Sequence, residues 1–207
     1  MNRTVIILLC AACIMWCLTG YAGADAASPS EFGFADPKLM QVVAAELAKQ
    51  GLELTPEGLS AIRELMLAGC GITSLEGLEQ LSNLRTLDLS LNPIRDLEPL
   101  RPLTQLESLN LRETMVTDLT PLADLINLRY LNIHSVPASS VEPIGSLHNL
   151  ETLIMRNVYI GTATEFLSGL TKLQRLNLRN TGLTDTKVLG DLMQQGALQN
   201  QHHVGIR

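Results

Sequence analysis

Apolar residues return along this chain at a spacing of 22 residues. Counting each segment from its first apolar anchor gives Ile62, Leu84, Leu106, Leu128, Leu150 and Leu173, separated by 22, 22, 22, 22 and 23 residues. Positions 1, 4 and 6 of a segment are apolar, as in Leu84, Leu87 and Leu89, and positions 3, 5 and 7 alternate with them. That alternation predicts a short strand with one buried face. Positions 11, 14, 17 and 20 are again mostly apolar, for example Ile94, Leu97, Leu100 and Leu103. Pro99, Pro121 and Pro143 recur at position 16, where they suit the first turn of a short helical or 3-10 piece. A self-similar period of this length predicts a solenoid, an α/β stack in which each unit covers its neighbour's apolar face. Such a chain presents a surface rather than a reaction centre.

The flanks predict how the stack is closed. Asp36-Pro37 can cap and open a helix whose Leu39, Val42, Val43 and Leu47 share one face, and Gly51 ends it. Thr55-Pro56 starts a shorter helix running to about Arg63. Together residues 37–61 form a helical cap over the first repeat's open edge, and residues 62–186 form six repeats. Residues 187–198 read as a closing helix, and the tail to 207 as frayed. Residues 25–36 read as a flexible linker. Position 9 carries Cys70, Asn92, Thr114, Val136, Val158 and Thr181. A polar side chain there can bond the backbone as it leaves the strand, so looser turns are expected at Val136 and Val158. The fifth unit, with Ala163 at position 14, is expected to take up its extra residue near Gly169.

Residues 1–24 differ from the rest. Arg3, the uncharged apolar run Val5 to Leu18 and the small residues Ala22-Gly23-Ala24 read as a signal peptide, so the chain is expected to be exported, periplasmic or secreted. The alternative is an uncleaved membrane anchor. Cleavage would remove Cys10, Cys13, Cys17 and Trp16 and leave Cys70 alone, with no internal disulfide and no membrane span in the mature chain. Over all 207 residues the net charge is -6, which argues against nucleic acid as a ligand.

The run LRTLDLSLNPIRDLEPLRPLTQ at 84–105 resembles a leucine-rich repeat of the 22-residue bacterial internalin type. The preceding DPKLMQVVAAELAKQ and LTPEGLSAIRELMLAGCGITSLEGLEQLSNL resemble that family's helical N-terminal cap running into its first repeat. The resemblance covers residues 36 to about 192. It implies a leucine-rich repeat solenoid with a curved parallel sheet, short helical or 3-10 segments on the convex side, and a protein as its ligand. No immunoglobulin-like domain, wall-sorting signal or wall-binding module is read in these residues, and a role in host-cell invasion is not carried over.

Stacked strands would align positions 3, 5 and 7 as three columns on the concave face. Position 3 gives Glu64, Thr86, Ser108, Tyr130, Thr152 and Arg175; position 5 gives Met66, Asp88, Asn110, Asn132, Ile154 and Asn177; position 7 gives Ala68, Ser90, Arg112, His134, Arg156 and Arg179. Like charges on neighbouring strands are mildly destabilising, so folding alone does not favour the last column. It makes a basic strip suited to an acidic protein segment. The partner-binding residues expected are Tyr130, Arg112, His134, Arg156, Arg179, Arg175, Asn110, Asn132 and Asp88; the ordinary alternative is solvated surface charge. The flat area is only about 400 Å², half the roughly 800 Å² per partner of a stable interface, so tight binding would need the rims, the cap or several copies.

Other chemistry is poorly served. Asp88, Ser90, Ser108 and His134 invite a nucleophile–base–acid reading, but on an open strand face without an oxyanion pocket. His202-His203 make a poor metal site, and no cofactor motif is present. A non-enzymatic, monomeric protein-binding scaffold is the leading expectation. The alternative is a self-associating structural component of the cell envelope. Carbohydrate binding would need aromatic platforms, for which Tyr130 and Tyr159 alone are available.

Overall fold

A computed structural model describes residues 32–198 and the backbone of residues 204 and 205. The leader with Cys10, Cys13, Cys17 and Trp16, the start of the linker, and His202-His203 lie outside the described residues.

The N-terminal cap forms because its capping residues work. Helix α1 spans Pro37–Lys49; the Asp36 carboxylate caps it by accepting from the Lys38 amide at 2.9 Å. The other Asp36 oxygen accepts from the backbone N–H of Thr73 at 2.7 Å, tying the cap to the first repeat. Leu39, Val43 and Leu47 are buried, with Val42 partly so. Helix α2, Pro56–Ala61, starts at Thr55, whose hydroxyl accepts from Gly58 N–H at 3.1 Å. It ends before Arg63, because Ile62 is fully buried as the first anchor and has already turned extended. The expected linker is fixed at its end. Phe34 is buried against Gly77, where an added Cβ would lie 2.5 Å from its ring.

The repeats give strands β1 (Glu64–Met66), β2 (Thr86–Asp88), β3 (Ser108–Asn110), β4 (Tyr130–Asn132), β5 (Thr152–Ile154) and β6 (Arg175–Asn177). They pair in parallel and in sequence order, with Leu65, Leu87, Leu109, Leu131, Leu153 and Leu176 in register. A short β7, Val204–Gly205, pairs beside β6, so the tail expected to fray instead adds a strand to the sheet. The 3-10 turns Glu98–Leu100, Thr120–Asp124 and Glu142–Ser146 carry Pro99, Pro121 and Pro143 at their starts, as the fixed proline φ favours. The core is one continuous leucine stack from Phe34 to Leu198. Burying a leucine contributes roughly 1.5–3 kcal/mol. Helix α3, Lys187–Gln194, closes the far end with Leu189 and Leu192 buried, and Gly196 at φ +94 takes the chain out of it.

Two further expectations are corrected. The turns at Val136 and Val158 are as closed as the others: Val136 N–H donates to Ile133 O at 3.1 Å and Val158 N–H to Met155 O at 3.2 Å, against 3.2 Å for Thr114 to Leu111. What recurs instead is a left-handed residue at position 8, with positive φ at Gly69, Leu91, Glu113, Ser135, Asn157 and Asn180. The extra residue of the fifth unit is also elsewhere. Ala163 is exposed, and Thr164 takes the buried place at the head of the 3-10 turn Glu165–Gly169, with buried Leu167 and Leu170 after it. The insertion therefore lies at residues 161–163, where Gly161 has φ +54, and the three-residue spacing after it is kept.

Candidate functional site

The parallel register puts positions 3 and 5 into columns directly: Glu64, Thr86, Ser108, Tyr130, Thr152 and Arg175, then Met66, Asp88, Asn110, Asn132, Ile154 and Asn177. Position 7 lies beyond the strands, yet its column is also in register. Each position-8 N–H donates to the next repeat's position-7 carbonyl: Leu91 to Arg112 at 2.8 Å, Glu113 to His134 at 2.9 Å, Ser135 to Arg156 at 2.9 Å and Asn157 to Arg179 at 2.9 Å. The row Arg112, His134, Arg156, Arg179 is thus fixed by backbone bonds.

The position-5 column has a structural task that the apolar pattern does not announce. Its side-chain oxygens accept from the backbone N–H two residues on: Asp88 from Ser90 at 2.9 Å, Asn110 from Arg112 at 3.1 Å, Asn132 from His134 at 3.0 Å and Asn177 from Arg179 at 3.1 Å. Those amides point away from the ladder and would otherwise be orphaned. Asn110 also donates to the second Asp88 oxygen at 3.1 Å. Asn132 is buried, so it supports the face rather than standing open on it. The signal was readable in principle, as Asx at position 5 two residues ahead of the row.

The basic row is not uniform. Arg112 places its guanidinium on Glu113 at 2.6 Å, which cancels its charge locally. Arg156, Arg175 and Arg179 enter no ion pair among the described residues. The Arg156 Nε is buried with no hydrogen-bond partner. His134 is half-buried; burial, then Arg112 and Arg156, lower its pKa below the ordinary 6.5. Tyr130, also half-buried, has its phenol pushed up by burial, with an Asn132 hydrogen bond acting the other way.

The nucleophile–base arrangement does not form. Ser90 is buried and donates to Asp88 at 2.6 Å, while the His134 ring meets Asn157 Nδ2 at 3.3 Å. Among the described residues there is no cluster that could hold a metal ion, and no helix long and apolar enough to cross a membrane. A second surface was not read from the sequence: a shallow depression of about 410 Å³ on the strand-entry flank, lined by Glu107, Arg129, Glu151 and Lys172 among others. Of its charges, Glu107 is paired with Arg85 at 2.5 Å and Arg129 with Glu151, while Lys172 donates to the Asn149 side-chain oxygen at 2.7 Å. Its asparagines cap neighbouring repeats, Asn127 on Thr104 O and Asn149 on Ile126 O, each at 2.8 Å.

Residues 60–102 match the family model for leucine-rich repeats, in two copies. The chain is similar to an internalin, InlF, of Listeria monocytogenes, at 30% identity and a TM-score of 0.73. That match covers 84% of this chain and 51% of the internalin, so the chain spans about half its length. A Leptospira interrogans leucine-rich repeat protein is 26% identical with a TM-score of 0.55, over 65% of this chain and 37% of that one. The functional domain of Listeria InlJ shares the fold at 20% identity and a TM-score of 0.60, over 79% of this chain and 41% of that one. A search of curated proteins finds no match.

Proposed function

We propose that this leucine-rich repeat chain, built as the Listeria internalins are, is a non-enzymatic scaffold that binds a protein through its concave face. Curved repeat stacks use extended concave surfaces of this kind. The chain is exported by its leader and works as a monomer, periplasmic or secreted, and its partner carries an acidic segment. One observation carries this reading: the position-7 row is held in register by backbone hydrogen bonds, and Arg156 and Arg179 stand in it without acidic partners among the described residues. Arg175 extends that row on the neighbouring column. Tyr130, half-buried at the middle of the sheet, supplies an aromatic anchor of the type that dominates interface energies. Asn110 and Asp88 form the polar floor, and the buried Asn132 accepts from the His134 backbone N–H.

The test is affinity capture from envelope and culture-medium fractions with the chain and with an Arg112→Ser, Arg156→Ser, Arg179→Ser variant. Loss of a captured protein, with a flatter dependence of capture on salt, is the expected result. Equal capture by both chains would remove the proposal.

A further inference from the structure

Charge on the concave face is segregated along the stack. Over β1 and β2 the charged residues are Glu64 and Asp88; over β5 and β6 and the turns just after them they are Arg156, Arg175 and Arg179. Between these ends Arg112 is cancelled by Glu113, and the side chains of Ser108, Asn110, Tyr130 and Asn132 carry no charge. None of the five terminal charges enters an ion pair among the described residues. Asp88 is hydrogen-bonded to Ser90 and Asn110, which leaves its charge in place.

The separation matters. Glu64 and Arg175 stand at the same position of the first and sixth strands, five steps of about 4.8 Å apart, or about 24 Å. Screening in physiological salt acts over about 8 Å. The two ends therefore do not cancel one another, and each acts on whatever lies above it. Both reach the middle: after burial and the Asn132 hydrogen bond, Asp88 raises and Arg175 lowers the Tyr130 phenol's pKa. A partner laid the wrong way round would face like charge at both ends, and such juxtapositions disfavour binding.

We propose that the concave face takes its protein partner in one orientation, as an extended segment whose basic end lies over β1–β2 and whose acidic end lies over β5–β6. This deepens the reading above and rests on it. A segment of about seven extended residues spans the distance at about 3.4 Å per residue. Its centre meets Tyr130 and needs no charge.

The probes are two synthetic nine-residue peptides, one with three lysines at one end and three aspartates at the other, the second acidic throughout. Each carries a nitroxide at one end, and binding is read at low salt by anisotropy and by broadening of backbone amide resonances. The two-signed peptide is expected to bind several-fold tighter than the acidic one. A nitroxide at its acidic end should broaden Leu176 and Leu153 and spare Leu65. A chain with Glu64→Lys, Asp88→Asn, Arg175→Glu and Arg179→Glu should reverse that pattern; Asn at 88 keeps the carbonyl that accepts from Ser90, and matched thermal unfolding checks the fold. Equal affinity for the two peptides, or broadening at both ends, overturns the orientation while the basic strip stands. Failure of both peptides to bind overturns the strip and the orientation together. A concentration-dependent mass at low salt that Arg175→Glu with Arg179→Glu abolishes would make a second copy of this chain the occupant, and would also overturn the proposal.

Discussion

Asn92 and Val158 hold the same place in the second and fifth repeats, each buried where the chain leaves its strand. The Asn92 amide donates to Leu67 O at 2.7 Å, Leu89 O at 2.9 Å and Ser90 O at 3.2 Å, and its oxygen accepts from Ile72 N–H at 3.0 Å. The Val158 side chain can make none of these bonds. The backbone nevertheless turns alike: position 8 has φ 61 at Leu91 and φ 61 at Asn157. The path of the turn is therefore set by the left-handed residue and the backbone ladder. The position-9 side chain decides only which polar groups are satisfied inside. In the second repeat those groups include two from the first, so Asn92 fastens two coils together.

The largest expected effect comes from that fastening. Asn92→Val removes the amide and leaves Ile72 N–H and Leu67 O with a partner fewer in a buried place. Burying unsatisfied groups costs about 1–3 kcal/mol each, so a loss of roughly 2–4 kcal/mol is expected in denaturant unfolding, with an unchanged slope. A loss below about 1 kcal/mol would mean that valine and asparagine are equivalent here, and the contrast would fail. Thr114→Val is the milder form of the same change. Its hydroxyl makes one bond, to Leu111 O at 2.8 Å, so about 1 kcal/mol is expected. As large a loss as for Asn92 would point to packing rather than bond count.

The same contrast marks where the sequence is legible. The period, the strand positions and the three columns can be read from which residues are apolar, because burial maps directly onto that pattern. The turn at Val136 cannot, because its closure depends on φ at Ser135, and serine carries no such signal. The fifth unit is misplaced for a related reason. Ala163 and Thr164 are both small, and only the three-residue step to Leu167 and Leu170 tells which is inside. On the face, the columns were legible, whereas the cancellation of Arg112 was not. Glu113 sits at position 8, outside the three columns, with φ 55, and its carboxylate meets the Arg112 guanidinium there.

Position 8 gives a smaller and opposite effect. Leu91 is non-glycine at φ 61, a conformation that costs an L-residue about 1–2 kcal/mol, against a glycine entropy cost of about 0.5–1 kcal/mol. Leu91→Gly should therefore stabilise by about 0.5–1 kcal/mol. Asn157→Gly should not. Asparagine tolerates this region, and its amide bonds Ser135 Oγ at 3.0 Å while its oxygen accepts from Asn180 at 3.0 Å. Unfolding curves in which both variants gain equally would remove the claim that the asparagine ladder holds the later turns.

The smallest effect tests the fourth and fifth repeats through their shared histidine. The His134 Nε2 faces the Asn157 Nδ2, which has hydrogens to give and so favours a neutral, accepting ring. Burial and the charges of Arg112 and Arg156 act the same way, and the folded pKa lies below 6.5. Below about pH 6.5 the unfolded chain binds the proton first, so stability falls as pH drops through that value. The fall ends once the folded ring is also protonated at its lower pKa. His134→Gln should remove this part of the pH dependence between 6.5 and the folded value. Arg156→Ser should raise the midpoint of the His134 ring resonance towards 6.5, because it removes a positive charge that no acidic partner offsets. Arg112→Ser should raise it more, because Arg112 is the larger of the two positive charges acting on the ring and its loss leaves Glu113 unopposed. A rise no larger than that of Arg156→Ser would show that Glu113 does not oppose Arg112 at the ring, and that the row is basic from the third repeat onward rather than only over its last two.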